Sequence, residues 1–106
     1  MDERTLAYAP RAGRDLLGLP LQDARRVLKD LELLQTPPWP PGKVKRLRGC
    51  DYWEIKTGDF RTIFWPCGKT VAVLRVVNRR DLERAVGRID VNTILRWLRE
   101  SGSREP

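Results

Sequence analysis

The segment Thr36 to Gly42, TPPWPPG, governs what this chain can fold into. Its prolines remove backbone donors and fix φ, so no helix and no interior strand passes through it; it forms a rigid, extended loop. The hydrophobic period changes across it. Before the loop, Leu21, Ala24, Leu28, Leu31 and Gln35, with Val27 and Leu34 beside them, follow a helical stripe opposite Arg25, Arg26, Lys29 and Glu32. After it the period is two. Lys43 to Arg48, Tyr52 to Thr57, Phe60 to Trp65 and Thr70 to Val77 read as strands, separated by GCD, GD and PCGK, each with turn chemistry. The loop itself is read as a connector between helix and sheet, the alternative being a ligand segment for an SH3-type domain.

The flanks complete the outline. RTLAYA makes a short strand before Pro10, which suits the first turn of a helix running to about Leu17 and ended by Gly18. With the second helix it forms a hairpin across LGLP. Beyond the last strand, Asp81 to Val86 starts a short helix. Val91, Ile94, Leu95 and Leu98, with Trp97, form an amphipathic one capped by Asp90 or Asn92, which either closes the open face of the sheet or mediates dimer contacts. SGSREP reads as a frayed tail. Consecutive strands with short turns imply an antiparallel meander. The expected fold class is α+β: an N-terminal helical hairpin packed on a mainly antiparallel sheet, with an extra C-terminal helix. A chain of 106 residues builds one core, so a single domain 1–106 is expected, its core about 5–87 and its last helix about 90–100.

Composition restricts the chemistry. The chain has no histidine, which removes Ser-His and Cys-His nucleophile pairs, paired-imidazole catalysis and most catalytic zinc sites. Neither metal nor cofactor is called for, and any reaction must use Lys, Arg, Asp, Glu or Tyr. The net charge of +7 favours polyanions: a phosphate backbone, an anionic membrane surface or an acidic protein would all be attracted, while solubility is the bland alternative. The sequence offers no signal peptide and no membrane span, so a cytoplasmic protein is expected. Cys50 and Cys67, the latter placed in a hairpin turn, read as free thiols.

One arginine interrupts the strand GDFRTIFW. A guanidinium among Phe60, Ile63, Phe64 and Trp65 needs a counter-charge or a ligand, because an unpaired buried charge costs several kcal/mol. Alternation aligns Arg61 with Ile63 and Trp65, and in the preceding strand it places Tyr52, Glu54 and Lys56 on one face. Arg61 therefore either pairs with Glu54, Asp59 or Asp81 or serves a ligand at the rim beside the GD turn. Two further runs are basic: Lys43, Lys45, Arg46 and Arg48 in KVKRLR, and Arg79, Arg80 and Arg84 in NRRDLER. If Lys56, Arg61 and Arg80 converge without an internal counter-charge, they can bind a phosphate and stabilise the extra charge of a phosphoryl transition state. Each run taken singly also reads as a solvated strand edge.

The order of these features, RDLLGLP, a proline-interrupted loop, KRLRG, YWEIKTGDFRTIFW, VAVLRVV and NRRD, resembles the RelE/ParE superfamily of type II toxins over roughly Leu6 to Val86, and WEIKTGDFR is similar to the HigB-type branch. The resemblance implies a small α+β toxin held inactive by a cognate antitoxin in a hetero-oligomer. In the RelE-like branch it implies an endoribonuclease that enters the ribosome and cuts mRNA without metal, inhibiting translation. On that correspondence Arg61 and Arg80 would stabilise the phosphorane and Lys56 would position the phosphate. Lys43, Lys45, Arg46, Arg48 and Arg79 would hold RNA. Two positions depart from the family pattern: no tyrosine follows the basic pair, where the chain reads Asp81 to Val86, and Glu54 replaces a strand lysine of some relatives. The general base is then Glu54, Tyr52 or a Lys56 of lowered pKa. A ParE-like gyrase inhibitor without nuclease activity and an RNA-binding module of impaired catalysis are the competing implications.

Overall fold

The computed structural model describes residues 3–102. The strand ahead of Pro10 forms as β1, Thr5–Tyr8. Helix α1, Pro10–Leu17, starts on that proline, and α2 follows at Leu21–Leu31, prolonged by one 3₁₀ turn to Gln35. Four further strands succeed the proline loop: β2 Val44–Arg46, β3 Trp53–Thr57, β4 Phe60–Cys67 and β5 Thr70–Asn78. A 3₁₀ turn, Arg79–Asp81, leads into α3, Leu82–Gly87, and α4, Val91–Gly102.

The sheet order is β1-β5-β4-β3-β2. From β2 to β5 it is the expected antiparallel meander, with two-residue turns at Gly58-Asp59 and Gly68-Lys69. Gly58 opens its turn at φ +57°, a conformation that costs glycine nothing. The meander is extended on one side, because β1 pairs parallel to β5, from Thr5 opposite Thr70 to Tyr8 opposite Val73, making the sheet mixed. Cys67 is the last residue of β4 rather than a turn residue, since its partner Thr70 is still in register. Both cysteines are free thiols.

Two apolar clusters cover the two faces. On the hairpin side Val27, Leu31 and Leu34 meet Ile55, Phe64, Val71 and Val73, all fully enclosed. Full burial of each such side chain contributes roughly 1.5–3 kcal/mol. The stripe on α2 is narrower than its leucines suggest: Leu21 is 65% and Leu28 is 39% exposed. At about 100° per residue these two lie well round the helix from the Val27–Leu31 line, beyond the reach of the sheet. Trp39 fastens the proline loop to this cluster. Its indole N–H donates to the Leu34 carbonyl at 3.1 Å, and its ring meets Trp53 and Phe64 edge-on with centroids 5.3 and 5.4 Å away. The loop is thus a packed connector.

The opposite face is not left open. Ile94, Trp97 and Leu98 of α4 pack on the cluster formed by Tyr52, Ile63, Ala72, Leu74 and Ala85, so the last helix closes the sheet and makes a third layer. Asp90 caps α4, accepting from the Asn92 N–H at 3.0 Å and the Thr93 hydroxyl at 2.9 Å. The helix runs through Ser101 and Gly102, further than the frayed tail expected from Ser101; the rest of that tail lies outside the described residues. No helix of the described residues is long and apolar enough to cross a membrane.

Candidate nucleic-acid interface

The tight Gly58-Asp59 turn sets Lys56 directly opposite Arg61 in the β3–β4 register, with Thr57 opposite Phe60 closing the hairpin. Paired residues share a face, so Lys56 and Arg61 stand on the side away from α2, with Glu54 opposite Ile63 one step further along. Arg61 in turn faces Val77 on β5, and the Arg79 N–H donates to the Asp59 carbonyl at 2.8 Å. The end of β3, the start of β4 and the end of β5 therefore meet at one end of the sheet. Topology brings Lys56, Arg61, Arg79 and Arg80 to that end.

Arg61 is not waiting for a partner. Its Nε lies 3.3 Å from Glu54 Oε1, and Nη1 donates to the carbonyls of Gly58 and Phe60, each at 2.9 Å. The absence of an internal counter-charge is thereby corrected: of the three acids considered, Glu54 takes Arg61, while Asp59 faces Arg79 at 4.0 Å and Asp81 faces Arg84 at 3.8 Å. A planar fork held on its Nε and Nη1 sides is fixed in orientation, the arrangement that a preorganised anion contact needs. Lys56 is half-buried and Arg80 exposed, and among the described residues neither has a carboxylate partner. Only the Arg80 backbone is engaged, its N–H donating to Asn78 Oδ1 at 3.2 Å.

The two candidate bases sit differently. Glu54 is 3% exposed; beyond Arg61, its Oε2 is 3.8 Å from Lys45 Nζ, and its Oε1 accepts no well-formed hydrogen bond. This buried carboxylate lies between two cations, Arg61 and Lys45, with spare acceptor capacity on Oε1. Tyr52 is enclosed against Trp65, its hydroxyl unpartnered; burial first, and then the neighbouring Cys50, Asp51 and Asp90, push its pKa up. The phenol is held neutral, which suits a core residue better than a base.

The KVKRLR run does not act as one patch. Lys43 is drawn to α2, its Nζ 3.0 Å from Asp30 Oδ2, and Val44 enters the hairpin-side core. Lys45 faces Glu54, and Arg46 pairs with Asp51 at 3.2 Å. Arg48 is exposed and has no carboxylate partner among the described residues.

Three acids organise the surroundings, of which Asp15 and Asp30 were given no role from the sequence. Asp30 accepts from the Thr57 hydroxyl at 2.7 Å as well as pairing Lys43, anchoring the end of β3 to α2. Asp15 of α1 accepts from Arg75 Nε at 2.8 Å and from the Val76 N–H at 2.9 Å. The third is Glu54 itself, whose partner was undetermined. Arg26 was also missed: a Cβ at Gly58 would lie 3.1 Å from its Nη2, so its guanidinium reaches from α2 to the Gly58-Asp59 turn. A run of alternating charge on one strand and an RR pair after another could have signalled the cationic end, but no local pattern points to Asp15 or Asp30. Among the described residues no group of three or more His, Cys, Asp or Glu side chains could hold a metal ion.

A helical hairpin on a five-stranded mixed sheet, with cations gathered at one sheet end, defines a class of small basic α+β proteins. Neither a protein-family model nor a curated protein matches the chain. Solved structures do. In the toxin-antitoxin complex RelBE2 from Mycobacterium tuberculosis, the matching chain is 26% identical at TM-score 0.63, over 73% of this chain and 99% of that one. In the archaeal RelE-RelB complex from Pyrococcus horikoshii OT3 the values are 27% and 0.62, over 74% and 97%. A double arginine-to-alanine mutant of the Escherichia coli toxin RelE in the free state shares 22% identity at TM-score 0.65, over 83% and 99%, a likeness of fold. The protein has the RelE-like toxin fold, and its likenesses are to RelE-like type II toxins.

Proposed function

We propose that this protein is the toxin of a type II toxin-antitoxin pair, a cytoplasmic, ribosome-dependent endoribonuclease that arrests translation by cutting mRNA. The observation that carries the reading is the cross-strand pair Lys56–Arg61 beside the Arg79-Arg80 turn, in a fold shared with RelE chains. In the reaction the 2′-hydroxyl of the ribose attacks the adjacent phosphorus; the 2′-O–P bond forms, the P–O5′ bond breaks, and the proton lost from the 2′-oxygen is returned to the 5′-oxygen. Lys56 positions the phosphate, and Arg61 and Arg80 offset the charge that gathers on its equatorial oxygens. Glu54 is the base better supported by its surroundings, since Tyr52 is held neutral. Exposed Arg48 and Arg79 provide salt-sensitive contacts to the RNA backbone. The neighbours RelBE2 and RelE-RelB are complexes with antitoxins, and a cognate antitoxin is the partner proposed here.

The test is induced expression of the wild type and of Lys56→Ala and Arg80→Ala, with 5′ ends of cellular transcripts mapped. New ends within translated codons, lost in both variants, are expected. Intact transcripts together with stalled gyrase supercoiling would transfer the protein to the gyrase-inhibitor class.

A further inference from the structure

A second concavity lies outside the Lys56–Arg61 pair. The start of α1, strand β5 and helices α3 and α4 enclose a cleft of about 500 Å³. Its lining includes apolar Leu74, Ile94 and Trp97 and the cationic side chains of Arg14, Arg84 and Arg88. Arg11 and Arg75 line it as well but are tied to Asp15, at 3.5 and 2.8 Å. Arg14 and Arg88 are exposed and have no carboxylate partner among the described residues. The two carboxylates of the lining do not neutralise them: Asp81 faces Arg84, and Asp90 is committed to capping α4. Positive charge is therefore in excess around an apolar lining that contains an indole.

We infer that this cleft binds a nucleoside phosphate, the base against the half-buried Ile94 and Trp97 and the phosphate held by Arg14 and Arg88. The lining matches the two halves of such a ligand. Guanidinium forks grip a phosphate bidentately, and indole and aliphatic side chains accept a base of any identity. The volume falls within the roughly 300–1,000 Å³ of small-ligand sites. An acidic helical peptide fits less well, because a helix about 10 Å across needs an open trough, whereas α1 and α4 wall this cleft. Val77, which lines the cleft, is the register partner of Arg61, so the two sites adjoin on one face of the sheet. The inference does not depend on the nuclease reading.

The ligand is either a free nucleotide or a nucleotide of an RNA chain, and calorimetry on the full chain separates the sources. AMP is titrated beside adenosine, inorganic phosphate and a short RNA carrying a 5′-phosphate. Saturable AMP binding is expected, with adenosine and phosphate each weaker by about tenfold or more and the Arg14→Ala/Arg88→Ala double variant weakened to a similar degree. Lys29→Ala, on the exposed face of α2 and outside both sites, should bind AMP like the wild type. RNA binding that the double variant loses, without an AMP response, assigns the nucleotide to an RNA chain. Silence with both AMP and RNA overturns the inference, as does binding that Lys56→Ala abolishes and the double variant keeps. A response to an acidic peptide alone also overturns it. Both arginines are exposed, and circular dichroism verifies that the double variant remains folded.

Discussion

Glu54 and Arg61 form an ion pair across adjacent strands, Oε1 to Nε 3.3 Å apart, with side chains only 4% and 14% exposed. Each residue fixes the other. Arg61→Ala leaves a buried carboxylate with only Lys45, 3.8 Å away, as counter-charge and is expected to cost about 3 kcal/mol, as half of a buried pair typically does. Replacing both, Glu54→Leu with Arg61→Met, should recover most of that loss. Urea unfolding of the two variants measures the difference.

Activity is better probed where stability is not at stake. Lys56→Ala and Arg80→Ala remove cations without carboxylate partners among the described residues, so each should change stability by no more than about 0.5 kcal/mol. In a purified translation system each is expected to slow mRNA cleavage by about a hundredfold, the loss typical of one transition-state charge contact.

Asp15 holds α1 to the sheet through two different donors. Asp15→Ala would strand the Arg75 guanidinium, 15% exposed, and release the Val76 N–H, costing about 3 kcal/mol in thermal or urea unfolding. Asp15→Asn keeps an acceptor for Val76 and should cost less.

The pH response of α4 follows from its cap. The Thr93 hydroxyl and the Asn92 N–H, opposed weakly by desolvation, lower the Asp90 pKa below its ordinary 3.8. A lowered folded pKa means stabilisation that is fully present above 3.8 and is lost as pH falls through the folded value. Amide exchange in α4 should accelerate on acidification below that point in the wild type, whereas Asp90→Asn, which caps without a charge, should show no such transition.

Trp39 tests the proline loop as a packed element. Trp39→Phe loses the hydrogen bond to Leu34 and should cost about 1 kcal/mol, whereas Trp39→Ala also empties the space beside Trp53 and Phe64 and should cost about 3 kcal/mol or more. Calorimetric melting of both variants gives the values.

Much of this molecule was legible in its sequence because the signals are local. Pro10 and Gly18 bound α1, and the GD turn fixed Lys56 opposite Arg61 because a two-residue hairpin sets its register. Alternation then put Glu54 on the face of Lys56. What escaped depends on distant partners. Leu21 and Leu28 look as apolar as Leu31, and only the width of the sheet leaves them outside. The β1–β5 pairing and the Asp15 contacts join residues some sixty positions apart, for which no periodicity exists. The β4–β5 register slips between Ile63 and Phe64, carrying Arg75 toward Asp15, and nothing in VAVLRVV announces that irregularity. The counter-charge of Arg61 was narrowed to three acids, since geometry alone separates Glu54 from Asp59 and Asp81.

The parallel seam between β1 and β5 has a consequence for how the chain is made. Strand β1 is made some sixty residues before its neighbour β5, so an incomplete polypeptide carries an unmatched β1 edge until Val73 has emerged. By then the GD hairpin is already synthesised, and the same late segment delivers both the missing backbone partners and Arg80. Assembly of the sheet and completion of its cationic end thus fall due at nearly the same moment of translation.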